Sequence, residues 1–167
     1  MARLLLVAAV LHQALVAAPA GASDPARLAV FAFELVDTSL QGEVAGVDPA
    51  EAARLEMIEA ELRERLAASG RFELVDDALA ADPDRYLWSC NGCEVALADR
   101  LGADLALVGW VQKVSNLILN INVTIRAVPS RERVFAASVD IRGNTDESWR
   151  RGIRYLLENR LLGEPGR

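Results

Sequence analysis

The sequence predicts an α/β domain built on a mixed five-stranded sheet with helices packed on it, in the order β-α-β-α-β-β-β-α. Two observations support this fold class. In the first half, short apolar runs alternate with segments whose apolar residues recur at helical spacing, as in parallel strands joined by helices. In the second half, two long segments alternate apolar and polar residues around the turn sequence Pro129-Ser130-Arg131-Glu132, which indicates an antiparallel hairpin.

The first 22 residues have the organisation of a secretory signal peptide. Arg3 precedes an apolar run over residues 4–18, and the small residues 20–22 suit cleavage. The apolar run is shorter than the roughly 20 residues of a membrane-spanning helix. We therefore expect an exported, periplasmic bacterial protein without a transmembrane anchor, in which residues 23–167 form a single domain.

The first strand and helix follow from local patterns. Residues 27–36 are apolar on both alternating faces, which predicts a central strand, and residues 37–48 are rich in Gly, Asp and Ser, which predicts a loop. Asp48 is the predicted N-cap of the next helix, with Glu51 as its capping-box partner. Gly70 suits the end of that helix.

The middle of the chain predicts two further strands and a short helix. Residues 71–76 and 103–114 have the composition of strands, and the second is half-buried on both faces. Between them, Asn91 is the expected N-cap of a short helix, with Glu94 three residues later.

The hairpin register follows from the need to place the apolar residues of both strands on one side of the sheet. A five-residue loop over 129–133 would pair Val128 with Val134 and satisfy this condition. The outer face then becomes a polar ladder, which is either a solvated surface or a platform for a polar ligand or partner. This register sets Thr124 opposite Ser138, Asn122 opposite Asp140 and Asn120 opposite Arg142, so the candidate binding face consists of Asn120, Asn122, Thr124, Asp140 and Arg142.

The last helix is predicted to begin after Asn144 as N-cap, with Glu147 as its capping-box partner. It carries a basic face formed by Arg150, Arg151 and Arg154. This face is either solvated and ion-paired, or a docking surface for an acidic partner.

Composition excludes several functions. The formal net charge of −6 argues against nucleic acid as a partner, because phosphate binding requires a basic surface. The only histidine, His12, lies in the predicted signal peptide, so Ser-His and Cys-His nucleophiles and imidazole-based zinc sites are excluded from the exported chain. The only lysine, Lys113, is expected to extend its ammonium group into solvent at a sheet edge. We predict no metal and no cofactor.

The segment Cys90-Asn91-Gly92-Cys93 admits two roles. Haem attachment is excluded, because Glu94 stands where a histidine would follow. A disulfide that fixes a helix entry is favoured in an oxidising compartment. The alternative is a redox couple, in which Cys90 attacks a disulfide and Cys93 resolves the mixed intermediate.

Four strings, FELVDTSL, CNGCEVALADRLGAD, VQKVSNLILNINV and DIRGNTDESWRRG, together resemble an uncharacterised family of exported proteobacterial proteins, a domain of unknown function. That resemblance carries a loose association with periplasmic alcohol oxidation by quinoprotein dehydrogenases. The wider pattern is similar to the TolB amino-terminal domain and to CsgG-like envelope proteins. It implies a compact α/β domain used for protein–protein contact in the cell envelope.

These observations lead to three functional hypotheses. The first is a non-enzymatic periplasmic accessory or adaptor protein that holds a protein partner on the polar hairpin face, the 37–48 loop or the basic last helix. The second is a thiol–disulfide protein that uses Cys90 and Cys93. The third is a small-ligand binder at the carboxyl ends of the parallel strands, near residues 37–48.

Overall fold

A computed structural model describes residues 24–46, 48–75 and 86–163, so the predicted signal peptide lies outside the described residues. No helix within these ranges combines the length and the hydropathy that crossing a membrane requires. The elements in chain order are β1 (Ala26–Val30), β2 (Glu34–Asp37), α1 (Leu40–Ala45), α2 (Pro49–Ala68), β3 (Phe72–Val75), a 3₁₀ turn (Leu87–Ser89), α3 (Cys93–Arg100), β4 (Leu105–Ser115), β5 (Ile118–Ala127), β6 (Arg133–Ile141), α4 (Asp146–Leu156) and a π-helical turn (Leu157–Leu161).

The elements form a mixed sheet in the order β3-β1-β4-β5-β6, with β2 paired to β4 beyond the end of β1. β1 runs parallel to β3 and β4, β2 runs parallel to β4, and β4, β5 and β6 are successively antiparallel. The predicted α/β class and its mixed sheet are therefore confirmed.

The predicted strand over residues 27–36 is divided into β1 and β2. Val30 pairs with Leu107 and Glu34 pairs with Trp110. The segment from Val30 to Glu34 therefore contains one residue more than the β4 segment that it faces. Because of this additional residue, the buried side chains of Phe31 and Phe33 lie on opposite faces of the sheet, where they join different apolar clusters. The break is thus a bulge that serves both layers of the core.

Two helical layers cover the sheet unequally. α2 and α4 pack on one face, over a core that includes the fully buried Trp149. α3 and the 3₁₀ turn cover the other face above β1 and β4, where Ala29, Phe31 and Val108 are buried. The outer parts of β5 and β6 on this second face remain open, and Asn120, Ser138 and Asp140 there form the exposed polar contacts.

The hairpin register differs by two residues from the predicted one. Asn120 lies opposite Asp140, Asn122 opposite Ser138 and Thr124 opposite Ala136. The turn begins one residue earlier than predicted, since the amide of Ala127 donates to the carbonyl of Glu132 at 2.8 Å. A bulge then brings Arg126 opposite Arg133, although the neighbouring residue Ile125 pairs with Phe135. Because the shift is even, the apolar residues stay on the core side, as predicted.

Helix α2 has its predicted N-cap, because Asp48 accepts a hydrogen bond from the amide of Ala50 at 2.9 Å. The predicted 37–48 loop is wrong, because it contains the short helix α1. Ser39 caps that helix by accepting from the amide of Gly42 at 3.1 Å.

The other two predicted caps are also wrong. Gly92, in the left-handed region at φ 106°, precedes α3 in place of Asn91. Thr145 caps α4 in place of Asn144, and accepts from the amide of Ser148 at 3.3 Å. In each case the predicted residue lies one position too early.

Candidate functional site

A cleft of about 250 Å³ separates the Cys90–Cys93 segment from the polar face of the hairpin. Its floor is formed by Ala106 and Val108 of β4, and Thr124 of β5 lines the far side. The structure thus brings two sequence-predicted candidates together, the cysteine segment and one member of the candidate binding face. The short side chains of Ala106 and Val108 leave the space of the cleft open.

Two tryptophans border this cleft. Trp88, on the 3₁₀ turn, and Trp110, on β4, have ring centroids 6.1 Å apart with an interplanar angle of 30°. The turn is fixed by Glu34, whose two carboxylate oxygens accept from the amides of Leu87 at 2.6 Å and Trp88 at 2.9 Å. Trp88 is nevertheless 41% exposed, which leaves an aromatic surface available at the cleft.

The cysteine pair lies at the entry of α3. The Sγ atoms of Cys90 and Cys93 are at disulfide distance, and the two Cα atoms are 5.7 Å apart. Both residues are half-buried and pack against the cluster that includes Leu87 and Ala98. The pair closes the loop that carries Asn91 and Gly92 into the cleft wall.

Glu94 connects the cysteine segment to the hairpin. Its Oε1 lies 3.0 Å from Nε of Arg126, and the carboxylate side chain is only 7% exposed. Its Oε2 lies 3.5 Å from Sγ of Cys90. A disulfide sulfur has no proton to donate, so this approach is a contact and not a hydrogen bond. Cys90, Cys93 and Glu94 are close enough to suggest metal ligands, but the bonded sulfurs are not thiolates.

The hairpin tip contributes positive charge. Arg126 donates to the carbonyl of Arg131 at 3.0 Å, and the Arg131 side chain passes close to Gly92. Arg133 also lines the cleft and is exposed. Within residues 24–46, 48–75 and 86–163, no carboxylate forms an ion pair with Arg133.

The remaining members of the candidate binding face lie elsewhere. Asn120 donates to Asp140 at 2.8 Å and accepts from Ser138 at 2.8 Å, and Asn122 donates to the carbonyl of Asn120 at 3.3 Å. They form a connected polar ladder on the open face, beyond the cleft. Arg142 instead borders a separate groove beside Tyr155.

The arginines of the predicted docking helix are largely engaged with neighbouring side chains. Arg151 pairs with Glu147 at 3.1 Å, and Arg154 pairs with Glu61 on α2. Nε of Arg150 lies 2.9 Å from the sulfur of Met57. The contacts of Arg150 and Arg154 tie α4 to α2, and the two ion pairs reduce the charge that the helix could offer to an acidic partner.

Lys113 does not extend into solvent, and the expectation of an exposed ammonium is wrong. It is 1% exposed, and its Nζ lies 2.6 Å from Oε1 of Glu51 and 3.0 Å from Oδ2 of Asp37. Burial acts to lower the pKa of Lys113, but the hydrogen bonds to Glu51 and Asp37 outweigh it and hold that pKa above its usual value. Burial acts to raise the pKa of Asp37, but hydrogen bonds from Ser39 and Lys113 hold it below its usual value.

The family model DUF3280, described as a protein of unknown function (DUF2380), matches residues 26–161. The chain belongs to this family. The match spans every described strand and helix, including both walls of the cleft. No curated protein sequence matches the chain.

Solved structures share the fold at low sequence identity. The C-terminal domain of LpoB from Salmonella enterica is 18% identical, with a TM-score of 0.50 over 74% of this chain and 87% of that one. The PelC dodecamer from Paraburkholderia phytofirmans is 14% identical, with a TM-score of 0.49 over 81% and 88%. TolB from Acinetobacter baumannii is 12% identical, with a TM-score of 0.42 over 81% of this chain and 29% of that one. The LpoB likeness supports the mixed α/β fold.

Proposed function

We propose that this family member is a non-enzymatic periplasmic adaptor that holds a segment of another protein at the cleft between the cysteine segment and the hairpin. The signal peptide predicted over residues 1–22 supports the periplasmic location. The proposal does not include a link to quinoprotein alcohol oxidation, for which the comparisons give no support.

The observation that carries the proposal is the unequal covering of the sheet. One face is closed by α2 and α4, whereas the β5–β6 half of the other face is open and polar beside two tryptophans. Tryptophan and arginine are enriched in protein interfaces, and here both are exposed next to a hydrogen-bonding surface. The polar ladder would supply hydrogen bonds at the rim, and the cleft would hold an anchoring side chain.

The disulfide has a supporting role in this proposal. It fixes the short loop at Asn91 and Gly92, which forms one wall of the cleft. A preformed wall lowers the ordering cost of binding. The thiol–disulfide hypothesis remains the second candidate, and the partial burial of both cysteines weighs against it.

Site-specific photo-crosslinking in the native periplasm tests the adaptor proposal. A photoreactive amino acid at Ser138, on the open face, is expected to capture one defined protein, and the same residue at Ala60, exposed on α2, is the matched control. The captured protein is then purified and its affinity measured by calorimetry. Thr124→Arg, which fills the cleft wall, is expected to weaken binding at least tenfold, whereas Ala60→Arg leaves it unchanged.

Two results would contradict the proposal. Equal crosslinking from Ser138 and Ala60 would mean that the open face is not the binding surface. Robust turnover of a small substrate by the isolated protein would mean that the protein is an enzyme.

A further inference from the structure

We infer that the cleft recognises an acidic peptide segment, with an apolar side chain against Trp88 and Trp110 and an adjacent carboxylate at Arg133. This inference rests on the proposed function, since it names the chemistry of the partner segment. Three features of the described residues lead to it: an opposed pair of like charges, the size of the cleft and the fixed geometry around it.

Arg126 and Arg133 are backbone partners across β5 and β6 at the bulge, and both line the cleft. Like charges in directly opposed positions destabilise a strand pair. Glu94 neutralises Arg126 at 3.0 Å, but among the described residues no carboxylate pairs with Arg133. An anion supplied by a ligand would complete the charge balance, because a guanidinium group binds a carboxylate through two parallel hydrogen bonds.

The cleft suits a single side chain better than a whole small molecule. Its volume is about 250 Å³, below the roughly 300–1,000 Å³ that small-molecule sites occupy. The apolar floor at Ala106 and Val108 and the nearby indole rings favour an apolar or aromatic side chain at that point. The neighbouring residue of an extended peptide would then meet the arginine at the rim and the polar ladder beyond it.

The surrounding contacts fix most of the cleft walls before a ligand binds. Glu34 fixes the turn that carries Trp88 through two amide hydrogen bonds. Arg126 is held on one side by Glu94 and on the other by the carbonyl of Arg131. Arg133 has no such restraint among the described residues, so its guanidinium group can move to an incoming carboxylate without breaking an existing ion pair.

The test measures binding of two tetrapeptides, each with blocked termini, to the full exported chain. The first is acetyl-Gly-Phe-Asp-Gly-amide, and the second replaces Asp by Asn, which keeps the shape and removes the charge. Titration is followed by the indole N–H resonances of the three tryptophans. We expect the acidic peptide to shift the signals of Trp88 and Trp110 and to leave the buried Trp149 unchanged, with at least tenfold weaker binding of the neutral peptide.

Arginine variants give a second measurement. Arg133→Gln is expected to lower affinity for the acidic peptide about tenfold and to leave the urea midpoint of unfolding unchanged, because Arg133 is exposed and forms no ion pair with a described residue. Arg160→Gln, which removes another exposed arginine from the π-helical turn, is the matched control and should change neither quantity. A role in folding alone would not lower the affinity while the stability stays unchanged.

Equal binding of both peptides, shifts outside the cleft, or an unchanged affinity in Arg133→Gln would overturn the inference. So would phenylpropionate binding as tightly as the acidic peptide, because the site would then take a free small acid. If photo-crosslinking at Ser138 captures a partner whose binding is insensitive to Arg133→Gln, the adaptor proposal stands and this inference fails. If the acidic peptide binds but no partner is captured, the adaptor proposal fails instead.

Discussion

The ammonium group of Lys113 lies 2.6 Å from the carboxylate of Glu51, and both residues are 1% exposed. Oε1 of Glu51 also accepts from the amide group of Asn144 at 2.5 Å, and Asn144 in turn accepts from the indole N–H of Trp149 at 2.9 Å. One buried network therefore joins the end of β4, the start of α2 and the start of α4. It fixes the helical layer on the closed face of the sheet.

Removing the lysine should strongly destabilise the fold. Lys113→Ala leaves the carboxylate of Glu51 buried without a counter-ion, and breaking a buried pair in this way costs about 3–5 kcal/mol. Urea unfolding followed by circular dichroism measures the loss. The exposed pair Arg151–Glu147 is the control, since Arg151→Ala should cost less than about 1 kcal/mol.

A double variant separates the buried charge from the lost packing. Lys113→Met with Glu51→Leu replaces the pair by apolar side chains and should recover part of the stability lost in Lys113→Ala, because no charge remains buried at position 51. Equal instability of the single and double variants would contradict this account of the network.

The loss of folding stability at low pH should depend on Asp37. Its folded pKa is held below its usual value by hydrogen bonds from Ser39 and Lys113 despite burial, so the folded state binds its proton more weakly than the unfolded chain. The resulting stabilisation is present above the unfolded pKa of about 3.9 and is lost as the pH falls through the lower folded pKa. Asp37→Asn should be less stable at pH 7 and lose less stability between pH 5 and pH 2. Parallel pH profiles for the two proteins would count against a role for Asp37.

The elements of the fold could be predicted because they depend on local patterns. The alternation in β5 and β6 gave the correct core face, and Asp48 was the correct cap of α2. The register was missed because it depends on the bulge beside Arg126, and a bulge leaves no trace in hydrophobic alternation. The break after Val30 was missed for the same reason.

The candidate site was less accessible to sequence reasoning, because its residues are distant in the chain. Glu34 and Trp88 are joined by a hydrogen bond across 54 positions, and Lys113 on β4 pairs with Glu51 on α2. Glu51 and Glu94 both stood at capping-box positions, and their burial against a cation depends on tertiary contacts. The lone lysine on a largely apolar strand was the available signal for the buried network.

Gly109 should be intolerant of any side chain. A Cβ atom at this position would lie 2.3 Å from the ring of Phe33, which is buried in the core. Gly109→Ala therefore forces the ring or the backbone to shift, and overpacking of this kind costs about 1–3 kcal/mol. Thermal unfolding measures the effect, with Ala136→Ser on exposed β6 as a control expected to remain within about 0.5 kcal/mol. Wild-type stability in Gly109→Ala would show that Phe33 can move freely.

The Cys90–Cys93 pair should behave as a structural disulfide. We expect a reduction potential below about −300 mV, as measured by thiol trapping across a series of dithiol buffers, because both cysteines are half-buried against the apolar cluster that includes Leu87 and Ala98. Replacing both cysteines by serine should cost about 2 kcal/mol by loop entropy and weaken binding of the acidic peptide, since the wall at Asn91 and Gly92 is no longer fixed. A potential between about −200 and −120 mV would instead place the pair among redox-active dithiols and favour the thiol–disulfide hypothesis. Wild-type affinity for the acidic peptide in the double serine variant would contradict the structural role, because the wall at Asn91 and Gly92 would then not depend on the disulfide.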